Sequence, residues 1–122
     1  MHGATNYPFH KEVSDLDVAL ADGADDNIYL RLLDSALEQA FDEAQPDVVL
    51  YQCGVDVLQS DKLGKLGLTM SGCAERDRFV FERCADHDIP VVCAMGGGYS
   101  PNVNTVVQAH VNTFRAALDT WT

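Results

Sequence analysis

From Ile28 onward the apolar residues recur at Ile28, Leu32/Leu33, Ala36/Leu37, Ala40/Phe41 and Ala44. That is helical spacing, with Asp25 and Asp26 placed to cap the amino end and Pro46 to stop it. "DVVLYQCG" then breaks the period: it is a continuous, β-branched apolar run that predicts a buried strand. After a long loop, the pattern predicts a second helix from about Met70 to Asp86, with Thr69 as its cap. "IPVVCAM" is another continuous apolar strand, and it breaks into "GGGYS". A last helix follows, with Ser100 as cap and Pro101 in its first turn. Its stripe is Val103, Val106/Val107, His110/Val111, Phe114, Ala117/Leu118 and Trp121. The first 26 residues show no sustained period and carry the loop signals Gly3, Asn6, Pro8 and "ADGADD".

Residues 27–122 therefore predict helix, strand, helix, strand, helix, behind an irregular lead-in over 1–26. Two strands separated by a helix pair in parallel through a right-handed crossover. Continuous apolar strands predict helices on both sheet faces, an α/β layered fold. Two strands make a poor sheet, and the chain opens with no element ahead of "MHGATNYPF". It reads as a single partial domain, the carboxyl half of something larger, whether Met1 is a true start or the edge of a truncation.

Charge changes the picture by exclusion. Nineteen acids against eight Lys and Arg give a net charge of −11, which argues against a nucleic-acid partner. No apolar stretch approaches the roughly 18 residues needed to span a bilayer, and no signal peptide leads the chain, so a cytoplasmic setting is expected and no membrane is implied. The cysteines at 53, 73, 84 and 93 form no C-x-x-C pair. They predict buried free thiols rather than a zinc ribbon.

The chemistry belongs at the carboxyl ends of parallel strands, where strand-to-helix loops lie. Asp56 follows the first strand and Tyr99 follows the second through Gly96, Gly97 and Gly98, so topology brings both to one rim. The loop after Asp56 is longer than mere connection needs, and it holds a second acid, Asp61, between Gly54 and Gly64. The triple glycine admits close approach to the main chain, but neither G-x-G-x-x-G nor a P-loop is present.

"YQCGVDVLQSDKLGKLGLT", then a helix, then "GGGYS" resembles the carboxyl half of the histone deacetylase family, in its bacterial acetoin-utilisation and class-IV-like branch. "HGATNYPF", "SDLDVALADGADDNIYL" and "HVNTFRAAL" extend the resemblance over nearly the whole chain. It implies a three-layer parallel sheet of the arginase/deacetylase type and zinc-dependent removal of acyl groups from amide nitrogen. The substrate would be acetyl-lysine, an acetylpolyamine or a similar acylated amine. It implies that Asp56 is a zinc ligand and that the Tyr99 hydroxyl addresses the substrate carbonyl. Leu63 would wall the acyl tunnel, with Gly97 and Gly98 as its floor. Tyr7 and Phe9 fall where an opposing aromatic stands, and His2 and Asp61 would lie near the site.

The resemblance also marks what these residues lack. The family's Asp-x-His ligand pair has no counterpart, since "ADHD" sets Asp86 directly beside His87. The tandem histidines of the general base have none either. The expectation is a chain that alone binds no zinc tightly, hydrolyses no amide, and self-associates through its half-sheet. His110, on the last stripe, is expected to be a satisfied core residue. The rival reading is a non-catalytic α/β fragment serving as an assembly or interaction module.

Overall fold

The computed structural model describes residues 1–122. Within the lead-in, two short strands, β1 (His2–Gly3) and β2 (Ala19–Leu20), pair in parallel, so this stretch is not wholly irregular. Their pairing continues past the strands through the amides of His2 and Ala4 bonding the carbonyls of Val18 and Leu20. Helix α1 (Asp26–Ala44) follows; the Asp25 carboxylate accepts from the Ile28 amide at 3.0 Å, and Gln45 closes it in the left-handed region. Strand β3 (Val49–Gln52) leads through the long loop to helix α2 (Met70–Asp86), where the Thr69 hydroxyl accepts from the Gly72 amide at 3.0 Å. Strand β4 (Val91–Ala94) and helix α3 (Val103–Trp121) complete the chain. Strands β3 and β4 pair in parallel, Val49 opposite Val91 and Gln52 opposite Ala94.

One helix end differs from expectation. The cap of α3 is Asn102, whose side chain accepts from the Asn104 amide, and Pro101 stands outside the helix. The Ser100 hydroxyl is engaged instead with that of Ser60, 2.8 Å away.

All three helices lie on one face of the β3–β4 ribbon. Alternation sends Val49, Tyr51 and Val91 toward that face, where they pack around Phe41 of α1 and Val80 and Cys84 of α2. The residues between them point the other way and find no cover: Leu50 is 79% exposed and Val92 57%. The expected second covering layer is therefore not within this chain. The α3 stripe departs in the same sense. Ala109 and Thr113 are buried on its inner side, with Val106 packed beside Ala109, while Val103, Val107, Phe114 and Leu118 stand exposed. Cys93 is likewise exposed, unlike the buried Cys53, Cys73 and Cys84; all four are free thiols. His110 is half-buried, and its Nδ1 is buried without a hydrogen-bond partner, so it is not the satisfied core residue expected.

The centre of the packed face is polar. Asp77 on α2 is fully buried and uses both oxygens: Oδ1 accepts from the Tyr51 hydroxyl at 2.5 Å and from Arg76, and Oδ2 accepts from the Thr113 hydroxyl at 2.6 Å. One carboxylate thus joins β3, α2 and α3. Removing it leaves the buried Arg76 guanidinium without its ion-pair partner, a loss of about 3–5 kcal/mol. We expect Asp77→Ala to abolish the cooperative urea transition followed by circular dichroism, whereas Tyr51→Phe, which leaves the ion pair intact, lowers the midpoint without abolishing it. An unchanged midpoint in Asp77→Ala would refute the central place given to this carboxylate.

Candidate functional site

The ladder between β3 and β4 does not stop at the strand ends. The Cys53 amide bonds the Ala94 carbonyl at 2.9 Å, and the Val55 amide bonds the Gly96 carbonyl at 3.0 Å. The two strand-to-helix loops are thereby zipped together at their roots, and Asp56 and Gly97 emerge side by side. A Cβ added at Gly97 would lie 2.7 Å from the Asp56 Cβ, and Gly97 adopts φ +67°. Only glycine combines that backbone angle with so close an approach.

Asp61 ties the loops a second time. Its Oδ1 accepts from the amides of Leu63 and Gly64 at 2.8 and 2.9 Å, and its Oδ2 accepts from the Tyr99 amide at 2.7 Å. The residue is 9% exposed. A carboxylate holding three amides in a nearly dry setting is a rigid clamp. It sets the backbone of Tyr99 against the turn that carries Leu63. Below the clamp, the loop is anchored by Val55, Leu58 and Leu68, all buried, and by Leu58 bridging Leu68.

The rim also rests on Arg76. Its Nη1 donates to the Gly54 carbonyl at 2.6 Å and its Nη2 to the Cys53 carbonyl at 3.4 Å, while Nε donates to Asp77. Burial opposes the charged form of the guanidinium, and the Asp77 carboxylate bonded to it holds it above its ordinary pKa. Burial pushes the Tyr51 phenol far up, and the Cys73 thiol up to about 11. At neutral pH the group is therefore a charged Arg76 among a neutral phenol and a neutral thiol. Sequence reading passed over this pair because adjacent charges on a helix ordinarily face water. The signal was their phase: Cys73, Arg76, Asp77, Val80, Phe81 and Cys84 share one face of α2, and all are buried.

The structure brings Asp56, Asp61, Gly97, Gly98 and the Tyr99 backbone together at one rim. Asp56 is half-buried and lines a cavity of about 450 Å³ that His2, Gly64 and Arg76 also line. Leu63 and Tyr99 are 54% and 57% exposed, and neither side chain lines that cavity. Tyr7 and Phe9 do not line that cavity; both are largely exposed and stack edge to face on one another at 6.1 Å. No three His, Cys, Asp or Glu side chains stand close enough together to hold a metal ion, so the donors of this chain do not by themselves fit a zinc site.

The fold has known counterparts. An HDAC homolog solved in complex with SAHA superposes with a TM-score of 0.70 at 22% identity, covering 98% of this chain and 37% of that one. The HDA15 HD domain superposes at 0.74 with 19% identity, over 96% of this chain and 36% of its own. These are parallel-sheet α/β domains of the arginase/deacetylase type, of which this chain holds a part. The histone deacetylase domain model matches residues 1–114. The chain belongs to the histone deacetylase family. An uncharacterised protein of Picosynechococcus sp. is 41% identical over 121 residues, 99% of this chain and 40% of that protein. Histone deacetylase 2 of Arabidopsis thaliana is 36% identical over 88% of this chain and 28% of its own length. The chain thus spans two fifths or less of the relatives it matches.

The clamp can be tested directly. In a two-dimensional ¹H–¹⁵N spectrum we expect Asp61→Ala to shift the Tyr99, Leu63 and Gly64 amides together. Gly97→Val should displace Asp56 and its neighbours while sparing the amides of α1. Three amides unmoved in Asp61→Ala would show that the carboxylate does not join the loops.

Proposed function

We propose that this chain supplies one wall of the active site of a zinc-dependent amide deacylase. Asp56 is the metal ligand it contributes, and Tyr99 places its hydroxyl on the carbonyl oxygen of the substrate. Leu63, Gly97 and Gly98 border the passage for an acyl chain. The observation that carries this reading is the double tie between the loops, Gly97 against the Asp56 side chain and the Asp61 carboxylate on the Tyr99 amide. It sets a carboxylate and a phenol-bearing backbone at one rim, as a hydrolase needs. The family metal, when bound, polarises the carbonyl. A phenol held at that oxygen donates to the oxyanion, and glycines beside it leave room for a slender substrate such as an acyl-lysine or acylpolyamine. The other metal ligands and the general base belong to the rest of the domain, so the chain alone is inactive and holds no zinc tightly. A cytoplasmic setting is part of this reading, supported by four free thiols. No helix is long and apolar enough to cross a membrane.

A second reading rests on a separate observation. The bare side of the sheet (Leu50, Val92) and the outer stripe of α3 are apolar and exposed, which suits an assembly or interaction module. In isolation the chain then self-associates through these surfaces.

Three measurements test these readings. When the chain is joined to the remaining part of the Picosynechococcus relative, hydrolysis of an acetyl-lysine peptide should appear, and Tyr99→Phe should lower its rate about 10²–10³-fold. Asp56→Ala should abolish it. Zinc titration of the chain alone should show no stoichiometric site, and stoichiometric binding lost in Asp56→Ala would overturn the division of ligands. Sedimentation at tens of micromolar should show dimers or larger species; a clean monomer would refute self-association.

A further inference from the structure

In an extended strand successive carbonyls point to opposite sides. Just past β3 they do not. The carbonyls of Gly54 and Cys53 both accept from the Arg76 guanidinium, at 2.6 and 3.4 Å. One planar fork on α2 collects both only where the chain bends between them, and the bend comes two residues ahead of Asp56. The other edge of the fork is fixed in turn. Nε and Nη2 donate to Asp77 Oδ1 at 2.9 and 2.7 Å, and the hydroxyls of Tyr51 and Thr113 hold that carboxylate. Arg76 is 3% exposed, so the fork has no path out to solvent.

The bend decides what surrounds the Asp56 carboxylate. A Cβ added at Gly54 would lie 2.8 Å from Asp56 Oδ1. One added at Gly97, across the zipped loops, would lie 2.8 Å from Asp56 Cγ and Oδ1 as well as crowding its Cβ. The Asp56 side chain is therefore seated between two glycine α-carbons, one from each strand-to-helix loop. Gly97 is required for its backbone angle too, but Gly54 has no positive φ. What Gly54 supplies is room. Its bare α-carbon lets the carboxylate lie against the very peptide that Arg76 holds.

We infer that Arg76 is a positioning residue, and that it acts on Asp56 through the Gly54 peptide. The guanidinium sets the peptide, the peptide and Gly97 leave one slot, and the slot selects one orientation of the carboxylate. The inference rests on the reading in which Asp56 and Tyr99 serve one hydrolytic site, yet the seating of Asp56 is a property of this chain by itself. Lysine does not replace the guanidinium. Its ammonium keeps a charge beside Asp77 but lacks the planar fork that reaches two carbonyls and a carboxylate together. Gly54→Ala reaches the same slot from the other side, adding one methyl group where Asp56 Oδ1 now rests and leaving Arg76 and Asp77 unaltered. A carboxylate displaced by about 1 Å from its working position costs a reaction about 10²-fold in rate.

The first readout is the Asp56 side chain in the full chain, with no hydrolysis involved. Couplings from its backbone nitrogen and carbonyl carbon to Cγ should report a single χ1 rotamer. In Arg76→Lys they should fall to averaged values, with the Val55, Asp56 and Gly97 amides shifting together while circular dichroism keeps its helical signal. Gly54→Ala should unseat Asp56 in the same way. Arg78→Lys, on the exposed side of the same helix between Glu75 and Glu82, should change none of these signals. The second readout uses the chain joined to the remaining part of the Picosynechococcus relative. There Arg76→Lys and Gly54→Ala should each lower kcat on an acetyl-lysine peptide about 10²-fold, with KM unchanged within about twofold. One χ1 rotamer persisting in Arg76→Lys would overturn the inference, as would an equal effect of Arg78→Lys. If the joined protein hydrolyses nothing, the proposed function falls while the couplings still decide whether Arg76 seats Asp56. Should Arg76→Lys unfold, the Arg76 Nη–H signals of the unaltered chain decide it: they should exchange slowly and shift in Gly54→Ala, and rapid exchange would refute the link.

Discussion

The geometry of this molecule depends on one buried carboxylate and the guanidinium beside it. Asp77 accepts from the Tyr51 hydroxyl, the Thr113 hydroxyl and Arg76, and Arg76 reaches on to the carbonyls of Cys53 and Gly54. A charge pair so deep gains little net stability over apolar packing. What it supplies is direction. The bonds to main-chain carbonyls just past β3 fix where the loop leaves the sheet, and a Val–Leu contact in the same place would leave that angle free to vary. From that exit, Val55 bonds Gly96 and Asp61 bonds Tyr99, so the rim inherits its geometry from a helix face beneath it.

Much of this architecture was legible because its signals are local. Asp25 and Thr69 cap helices through amides three residues on, and such contacts depend on nothing remote. Ser100 misled for the opposite reason: its hydroxyl meets Ser60, forty residues away, and the capping role passed to Asn102. The strands β1 and β2 went unseen because two residues display no period, and His2–Gly3 has no preference for a strand. They form because β2 carries Leu20, which is buried among Tyr29, Leu33 and Leu68, and β1 pairs beside it.

At the rim, the residue types disclosed which loops matter but not how they are held. Asp56 and Tyr99 followed from strand order, and Asp61 stood out as a second acid in a long loop. That Asp61 grips the Tyr99 backbone rather than facing a ligand required coordinates. Periodicity failed in a further way at α3. It revealed an apolar stripe truly enough, yet it cannot say what lies against that stripe. Inside this chain, Ala109 and Thr113 make the contact with α2, because the Thr113 hydroxyl must reach Asp77.

The outer side of α3 has a property that its exposure alone does not convey. Between Val103 and Trp121 its formal charges are Arg115 and Asp119, which cancel, and the residues among the valines are amides and hydroxyls such as Asn104, Gln108 and Asn112. The chain as a whole carries −11, so most of its surface repels its own kind. This helix is a neutral window in that acidic coat. Contact made there is driven by desolvation and is nearly indifferent to ionic strength, while added salt screens the repulsion everywhere else.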